Sequence, residues 1–291
     1  MQIDWKAFEP TPGEYRFDVY DRIYAADLAH GVRPLFILAF APAWARGDAC
    51  AAVSGTCHAG PAPAFYDEFA RALAAIADRY PGAAGVEVWN EPNSAYFWRP
   101  APDPAAYAAL LEAAYAAVKA VDPSMTVAGG AVVNTDSDGG SIGIPWFLKG
   151  VFDAGAADAM DVISMHAYAP TDVSGDLAVR EVDSVRTSRD WWGDPSTPIW
   201  ITETGTTTTG SRGVSEAIQA EMVETLQHRL SSEADVEMVL FHTLIEPASY
   251  GPTHSQTGFG VLRHDFTPKP AGCALAIAWL RLDSCPANLL S

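Results

Sequence analysis

The sequence has 291 residues, of which 49% are apolar, and a formal net charge of −18. This length suits one large domain, and single α/β barrels often have this size. No run of 18 or more uninterrupted apolar residues occurs, which argues against a membrane span. A surface with this negative charge repels phosphate backbones, which argues against nucleic acid as a partner.

Seven short apolar runs along the chain predict β-strands. Each run is almost continuously apolar, as expected for strands that are buried on both faces of a parallel sheet. The runs are IDW (3–5), PLFILAF (34–40), VEVWNE (86–91), TVAGGAVV (126–133), DVISMHAY (161–168), PIWITET (198–204) and VEMVLFH (236–242).

Segments with helical apolar spacing lie between these runs. The first is predicted to stop at Gly31, and Ser215 is a predicted N-cap of a later one. Strands that alternate with helices indicate βαβ units and a parallel sheet. The predicted helices cover 19–31, 63–82, 104–123, 214–230 and 269–282.

Two parallel architectures fit this alternation, an open doubly wound sheet and a closed barrel. No glycine-rich phosphate-binding motif follows the first strands, so a nucleotide-binding fold has no support. Carboxylates at strand ends favour the α/β class with a (β/α)8 TIM barrel, whose chemistry lies at the C-terminal ends of the strands. We predict one barrel domain over 1–291 that lacks its first strand, because only seven strands are found and an eighth would precede Met1.

The four cysteines form two local pairs in the sequence. Cys50 and Cys57 lie seven positions apart in a small-residue loop, and Cys273 and Cys285 flank a predicted helix. This pattern favours two disulfides and an oxidising compartment, so we expect a secreted or extracytoplasmic protein whose leader is removed or lies upstream. Four free buried thiols are the alternative, and neither pair has the spacing of a zinc site.

Two of the predicted strands end in a glutamate. Glu91 lies in VEVWNEPN, and Glu203 lies in PIWITETG. If IDW is the second barrel strand, these residues end the fourth and seventh strands and face one barrel mouth. A carboxyl pair of this kind suits glycosidic bond cleavage, in which one group protonates the leaving oxygen and the other attacks or stabilises the anomeric carbon. The alternative is two unrelated surface acids.

The two glutamate motifs resemble the signatures of clan A, the retaining (β/α)8 glycoside hydrolases with acids on strands 4 and 7. The segments before strand 3, at strand 6 and near the C-terminus (GFGVLRHDFTPKPA) are also similar to that clan. The resemblance covers essentially the whole chain and is closest to glycoside hydrolase family 39 and its bacterial relatives. It implies that Glu91 is the general acid/base, that Glu203 is the nucleophile, and that the mechanism is retaining.

The same resemblance implies several substrate-binding residues. Asn90 corresponds to the residue that hydrogen-bonds the sugar 2-hydroxyl, and Tyr168 to the residue that hydrogen-bonds the nucleophile. His166 alternates with Tyr168 on one strand and is a second candidate for the barrel mouth. The clan often has a tryptophan after the last strand, where this sequence has Phe241 and His242 instead.

Aromatic residues near strand ends are candidates for stacking on sugar rings. We predict this role for Trp44 and Trp98, although most tryptophans in a barrel lie in the core. No cofactor is expected. A catalytic metal is also not expected, because the H-x-H motif that metal-dependent barrels carry on their first strand is not seen in this sequence.

Two functions follow as hypotheses. The first is hydrolysis of an O-glycosidic bond in a glycoside or an oligo- or polysaccharide. The second is a catalytically impaired carbohydrate-binding protein derived from such an enzyme, suggested by the strand count. If the first strand is truly absent, another segment or a second copy of the chain in a homodimer would complete the barrel.

Overall fold

The computed structural model describes residues 1–51, 57–135, 139–251, 253–280 and 283–285. Within them the strands are β1 (Gln2–Asp4), β2 (Leu35–Ala39), β3 (Gly85–Val88), β4 (Val127–Val133), β5 (Val162–His166), β6 (Ile199–Thr204) and β7 (Val236–Phe241). The α-helices are α1 (Trp5–Phe8), α2 (Asp18–Ala29), α3 (Tyr66–Arg79), α4 (Pro104–Val121), α5 (Ile144–Asp153), α6 (Asp176–Trp192), α7 (Glu216–Ser231) and α8 (Pro270–Leu280).

The chain divides into two compact units. The first unit comprises Met1–Ser164 and Val185–Pro198, and the second comprises Met165–Ser184 and Ile199–Ser291. The division therefore falls within β5 and within α6, and each unit is described by itself below.

The first unit contains a parallel sheet in which the strands follow one another in chain order. Ile3 of β1 lies beside Leu38 of β2, and Val86 of β3 lies beside Val127 of β4. The start of β5 joins the same sheet, because the Asp161 amide donates to the Val127 carbonyl at 2.9 Å. Parallel order with helical crossovers makes the C-terminal ends of these strands one edge of the sheet, where functional groups collect.

Helices α3 and α4 cover this sheet with apolar faces. Phe69, Leu73 and Ile76 of α3 are fully buried and recur at helical spacing. Helix α4 begins sharply, because the Asp103 carboxylate accepts hydrogen bonds from the amides of residues 105 and 106 and Pro104 occupies the first helical position. The Tyr107 hydroxyl of α4 donates to the Val88 carbonyl at 3.0 Å, which ties this helix to the end of β3.

The second unit contains the end of β5 followed by β6 and β7, again in chain order. The Ala167 amide donates to the Glu203 carbonyl at 3.0 Å, and β6 pairs with β7 in parallel with irregularities in the register. Helices α7 and α8 enclose a small apolar core against β7. That core consists of Val223, Val261, Ala271 and Leu275, with Phe241 packed against it.

The structure confirms the predicted α/β class with seven parallel strands. Each predicted strand overlaps an observed one, and the Ser215 hydroxyl caps α7 by accepting from the Ile218 amide at 3.2 Å. The first strand differs in its bounds: it ends at Asp4 because the Asp4 carboxylate accepts from the Lys6 amide and starts α1 at Trp5. The single-domain assignment remains a prediction.

Both predicted cysteine pairs are disulfides. Cys50 pairs with Cys57 at a Cα–Cα distance of 5.9 Å, and Cys273 pairs with Cys285 at 5.2 Å. Both distances lie in the usual range for a disulfide. Among the helices of the described residues, none has the length and apolar character required to cross a bilayer.

Candidate active site

The end of β3 carries an unusual backbone in the first unit. Trp89 and Glu91 both have positive φ angles, of 72° and 46°, which non-glycine residues rarely adopt. Such a conformation costs on the order of 1–3 kcal/mol per residue and persists only where surrounding contacts fix it. Here the Trp89 amide donates to the Leu38 carbonyl and the Ser94 amide donates to the Glu91 carbonyl. Strain of this kind at a carboxylate suggests a functional position.

Asn93 holds this loop against the end of β4. Its side-chain amide donates to the carbonyls of Val133 and Ile142 at 2.8 Å each, and its side-chain oxygen accepts from the Val133 amide at 3.1 Å. Asn93 is fully buried, so these bonds are shielded from water. The loop that presents Asn90 and Glu91 is therefore fixed by a side chain within the same motif.

Asn90 and Glu91 differ in exposure. Asn90 is 5% exposed, whereas Glu91 is half-buried. The Asn90 side chain is therefore largely withdrawn from solvent, whereas the Glu91 side chain is partly accessible.

The two predicted aromatic platforms lie in different environments of the first unit. Trp98 is only 4% exposed and packs edge-on against Trp89 and Tyr107 in the core. Its ring faces are therefore enclosed by protein, which corrects the expectation that it is a surface for sugar stacking. Trp44 is half-buried, and its indole N–H donates to the Glu9 carbonyl at 3.3 Å.

Glu203 is the penultimate residue of β6 in the second unit, and three polar side chains surround its carboxylate. The Tyr168 hydroxyl donates to its Oε2 at 2.7 Å. The Nδ1 atoms of His166 and His242 lie 3.7 and 4.0 Å from the same oxygen. His166 is the last residue of β5 and is fully buried, so neighbouring strands bring these groups together.

The electrostatic balance at Glu203 favours the carboxylate form. Burial, the largest influence, acts to raise the pKa of Glu203, but the charges of His166 and His242 and the Tyr168 hydrogen bond outweigh it. The pKa of Glu203 consequently lies below its ordinary value. An ionised carboxylate that is partly withdrawn from water is suited to act as a nucleophile.

His242 is held by a second set of contacts. Its Nε2 lies 3.0 Å from Oε1 of Gln256, and its ring lies edge-on to Phe259 with the centroids 5.2 Å apart. Phe259 also contacts the Tyr168 ring at 5.8 Å. Both residues belong to a short 3-10 turn, Ser255–Phe259, which we call the 255–259 turn. This turn therefore contacts two of the three groups that surround Glu203.

Phe241 and His242 face different surroundings. Phe241 packs into the apolar core formed with α7 and α8, whereas His242 approaches Glu203. Successive residues of a strand point to opposite sides, which explains the difference. Of these two residues, only His242 belongs to the candidate site.

Sequence reasoning did not identify Asn93, Gln256 or Phe259. Asn93 lies within the WNEPN motif, but asparagine is a common turn residue, so the sequence alone did not distinguish a structural role from a simple turn. Gln256 and Phe259 lie outside any strand and had no periodic signal, so only the folded loop brings them to His242.

Comparison with known proteins assigns this chain to a sequence family. The sequence model of the family described as cellulase (glycosyl hydrolase family 5) matches residues 44–234, well over half of the chain. A β-xylosidase of Geobacillus stearothermophilus is 32% identical over 163 residues. That match covers 53% of this chain but 31% of the relative, so the chain spans about a third of the length of this protein.

Solved structures show the same fold. A family 39 glycoside hydrolase from Bacteroides cellulosilyticus WH2 superposes with a TM-score of 0.71 at 23% identity, covering 97% of this chain and 58% of that one. A family 39 β-xylosidase from Caulobacter crescentus gives 0.70 at 25% identity, covering 96% and 63%. The TIM-barrel-like fold predicted from the sequence is thereby confirmed.

The predicted clan is confirmed as well. The sequence resemblance was closest to family 39, and family 39 enzymes are among the structural neighbours, while the matching sequence model is that of family 5. The chain belongs to the cellulase family, glycosyl hydrolase family 5, among the (β/α)8 glycoside hydrolases of clan A.

Proposed function

We propose that this chain hydrolyses a β-xyloside with retention of configuration, with Glu203 as nucleophile and Glu91 as general acid/base. The observation that carries the proposal is the environment of Glu203, whose carboxylate accepts the Tyr168 hydroxyl at 2.7 Å and has a lowered pKa. A carboxylate maintained in its ionised form can attack an anomeric carbon at neutral pH.

The first step forms a glycosyl-enzyme ester. A Glu203 oxygen bonds to the anomeric carbon while the bond from that carbon to the leaving oxygen breaks. The protonated Glu91 carboxyl gives its proton to the leaving oxygen, so the aglycone departs as a neutral alcohol. The mechanism requires the two carboxyl groups to lie about 5–5.5 Å apart.

The second step releases the sugar. Glu91, now a carboxylate, takes a proton from water, and the water oxygen bonds to the anomeric carbon as the ester bond to Glu203 breaks. Both glutamates return to their starting forms. Each step inverts the anomeric carbon, so the product has the configuration of the substrate.

Three further residues are proposed to bind the sugar in the site. Asn90 donates to the 2-hydroxyl, a bond that strengthens in the transition state. His166 and His242 bind sugar hydroxyls and also keep the charge on Glu203, which is consistent with their separations of 3.7 and 4.0 Å from its Oε2.

The substrate class rests on the relatives. The curated relative and a solved neighbour are named as β-xylosidases, and the conclusion for this chain is a proposal because it spans only part of each. The two disulfides support a secreted or extracytoplasmic location, where such bonds persist.

Hydrolysis of 4-nitrophenyl β-xyloside tests the proposal directly, with other aryl glycosides in parallel. The wild type should turn over the xyloside, and Glu203→Ala should lose activity by several orders of magnitude because no ester can form. Glu14→Ala, at an exposed glutamate, is the matched control and should retain full activity.

Azide distinguishes the two glutamate roles. In Glu91→Ala, azide needs no base and should attack the glycosyl-enzyme to give the β-xylosyl azide. In Glu203→Ala, azide should attack the anomeric carbon directly and give the α-xylosyl azide. Carbohydrate binding without turnover by the wild type would instead support a catalytically impaired binding protein and overturn the proposal.

A further inference from the structure

A buried lysine, Lys269, lies immediately before α8 and far from Glu203 in the sequence. Lys269 is 2% exposed, and its Nζ lies 2.5 Å from Oε1 of Glu246. The same ammonium donates to the Gly258 carbonyl at 3.0 Å and to the Thr208 hydroxyl at 3.2 Å. Burial of an ammonium group is unfavourable unless it is paired and hydrogen-bonded, so a lysine in this position indicates a specific role.

The contact with Gly258 ties Lys269 to the 255–259 turn. The Gly258 carbonyl also accepts from the Gln219 side-chain amide at 3.0 Å and from the Thr208 amide at 3.1 Å. A Cβ atom at Gly258 would meet the Thr209 amide nitrogen at 2.5 Å, so the turn lies directly against the segment that follows β6. This carbonyl is therefore one point at which the turn is anchored, beside the Ser255 carbonyl, which accepts from the Thr207 hydroxyl.

The 255–259 turn contacts two of the side chains that surround Glu203. Gln256 lies 3.0 Å from Nε2 of His242, and Phe259 packs on the rings of His242 and Tyr168. Tyr168 and His242, together with His166, are the groups that lower the pKa of Glu203. A continuous set of contacts therefore leads from Lys269 through the turn to the carboxylate.

We infer that Lys269 is a positioning residue for Glu203: by holding the 255–259 turn at the Gly258 carbonyl, it aligns His242 and Tyr168 with the carboxylate. The inference rests on the proposed function for its consequence in catalysis, whereas the alignment of His242 is a property of the folded chain. Glu246 provides the counter-charge that allows the ammonium to be buried.

Lys269→Met tests this inference, because methionine retains most of the apolar stem and removes the three donors. We expect kcat/KM for 4-nitrophenyl β-xyloside to fall by up to about 100-fold, mainly through kcat, as for a small displacement of catalytic groups. The acidic limb of the pH profile should move to higher pH, because Glu203 loses part of the alignment that favours its ionised form. A double variant, Lys269→Met/Glu246→Gln, removes the effect of an unpaired carboxylate.

Two further variants separate positioning from folding. Gln256→Ala removes the hydrogen bond between the turn and His242 but keeps the Phe259 ring contact. It should move the acidic limb of the pH profile in the same direction as Lys269→Met, by a smaller amount. Lys149→Met is the matched control, because Lys149 also pairs with a carboxylate at 2.5 Å, that of Asp153, but its side chain is 45% exposed. It should leave the pH profile unchanged.

The imidazole 15N resonances of His242 give a readout that does not depend on turnover. They should shift in Lys269→Met and in Gln256→Ala. If the wild type is inactive but these shifts occur, the proposed function fails and the positioning role stands. If the wild type is active, and Lys269→Met changes neither the acidic limb nor the His242 resonances, the inference is overturned whatever the result for Gln256→Ala. A lower melting temperature alone, with both readouts unchanged, would likewise assign Lys269 a purely structural role.

Discussion

The Tyr168 hydroxyl donates a 2.7 Å hydrogen bond to Oε2 of Glu203, the oxygen that both His166 and His242 approach. A charge-assisted bond of this length favours the ionised carboxylate over the neutral acid. Tyr168, which follows β5, therefore influences the charge state of Glu203 in the neighbouring strand β6.

Tyr168→Phe should weaken catalysis most at low pH. Loss of the hydroxyl removes one of the influences that lower the pKa of Glu203, so that pKa rises and a smaller fraction of Glu203 is ionised in acid. The acidic limb of kcat/KM should move to higher pH. The loss at neutral pH should be about 10- to 150-fold, because a hydrogen bond to a charged group contributes about 1.5–3 kcal/mol.

The pH profile of 4-nitrophenyl β-xyloside hydrolysis measures this shift. Tyr250→Phe is a suitable control, because Tyr250 is 47% exposed and stacks on His254. An acidic limb that is identical in Tyr168→Phe and the wild type would show that the hydroxyl does not control the nucleophile.

Asn93→Ala should destabilise the protein by about 2–4 kcal/mol. The substitution leaves the Val133 amide and the carbonyls of Val133 and Ile142 without the side chain that satisfies them in the interior. Chemical denaturation measures the free energy of unfolding. Ser124→Ala, which removes an exposed hydroxyl contact with Asp122, should change it by less than about 0.5 kcal/mol.

Gly60→Ala tests the burial of Trp98. A Cβ atom at Gly60 would lie 2.7 Å from the Trp98 ring, and the ring is held on its other sides by Trp89 and Tyr107. We expect a loss of about 1–3 kcal/mol in the free energy of unfolding, as for other overpacked cores. Gly139→Ala is the control, because no atom lies within 4 Å of a Cβ built there. Equal stabilities for the two variants would contradict the placement of Trp98 in the core.

Removal of either disulfide should reduce stability by about 2–3 kcal/mol, because the paired cysteines are separated by 7 and 12 positions in the sequence. The paired serine variants Cys50→Ser/Cys57→Ser and Cys273→Ser/Cys285→Ser can be compared by denaturation. The variant without both pairs should no longer respond to reducing agent. A wild type whose unfolding is the same with and without reducing agent would argue against both bonds.

The strands were predictable because their apolar runs are nearly continuous. Residues 35–39, for example, are all buried, and a run of this kind between turn signals has few alternatives to a strand. The two glutamates could be proposed as site residues for a related reason, since a carboxylate at the end of such a run is unfavourable in an apolar core.

Other parts of the fold had weaker signals. Helix α6 contains many charged and polar residues and few apolar ones at helical spacing, so its pattern was not recognised. Trp98 was misplaced because an aromatic residue after a strand can lie in the core or on the surface, and only Gly60, Trp89 and Tyr107 decide which. Lys269 contacts the Gly258 carbonyl, and Gln256 reaches His242 from the 255–259 turn. Contacts of these two kinds leave no recognisable pattern in the sequence.

Because Phe241 and His242 point in opposite directions, the end of β7 has a packing role on one side and a contact with Glu203 on the other. Phe241 helps to hold α7 and α8 on the strand, whereas the adjacent position contacts the carboxylate. Selection can therefore alter the chemistry at position 242 without disturbing the helices. If His242 binds a sugar hydroxyl as proposed, a library randomised at that single codon would vary the sugar contact while the packing of α7 and α8 on Phe241 is retained.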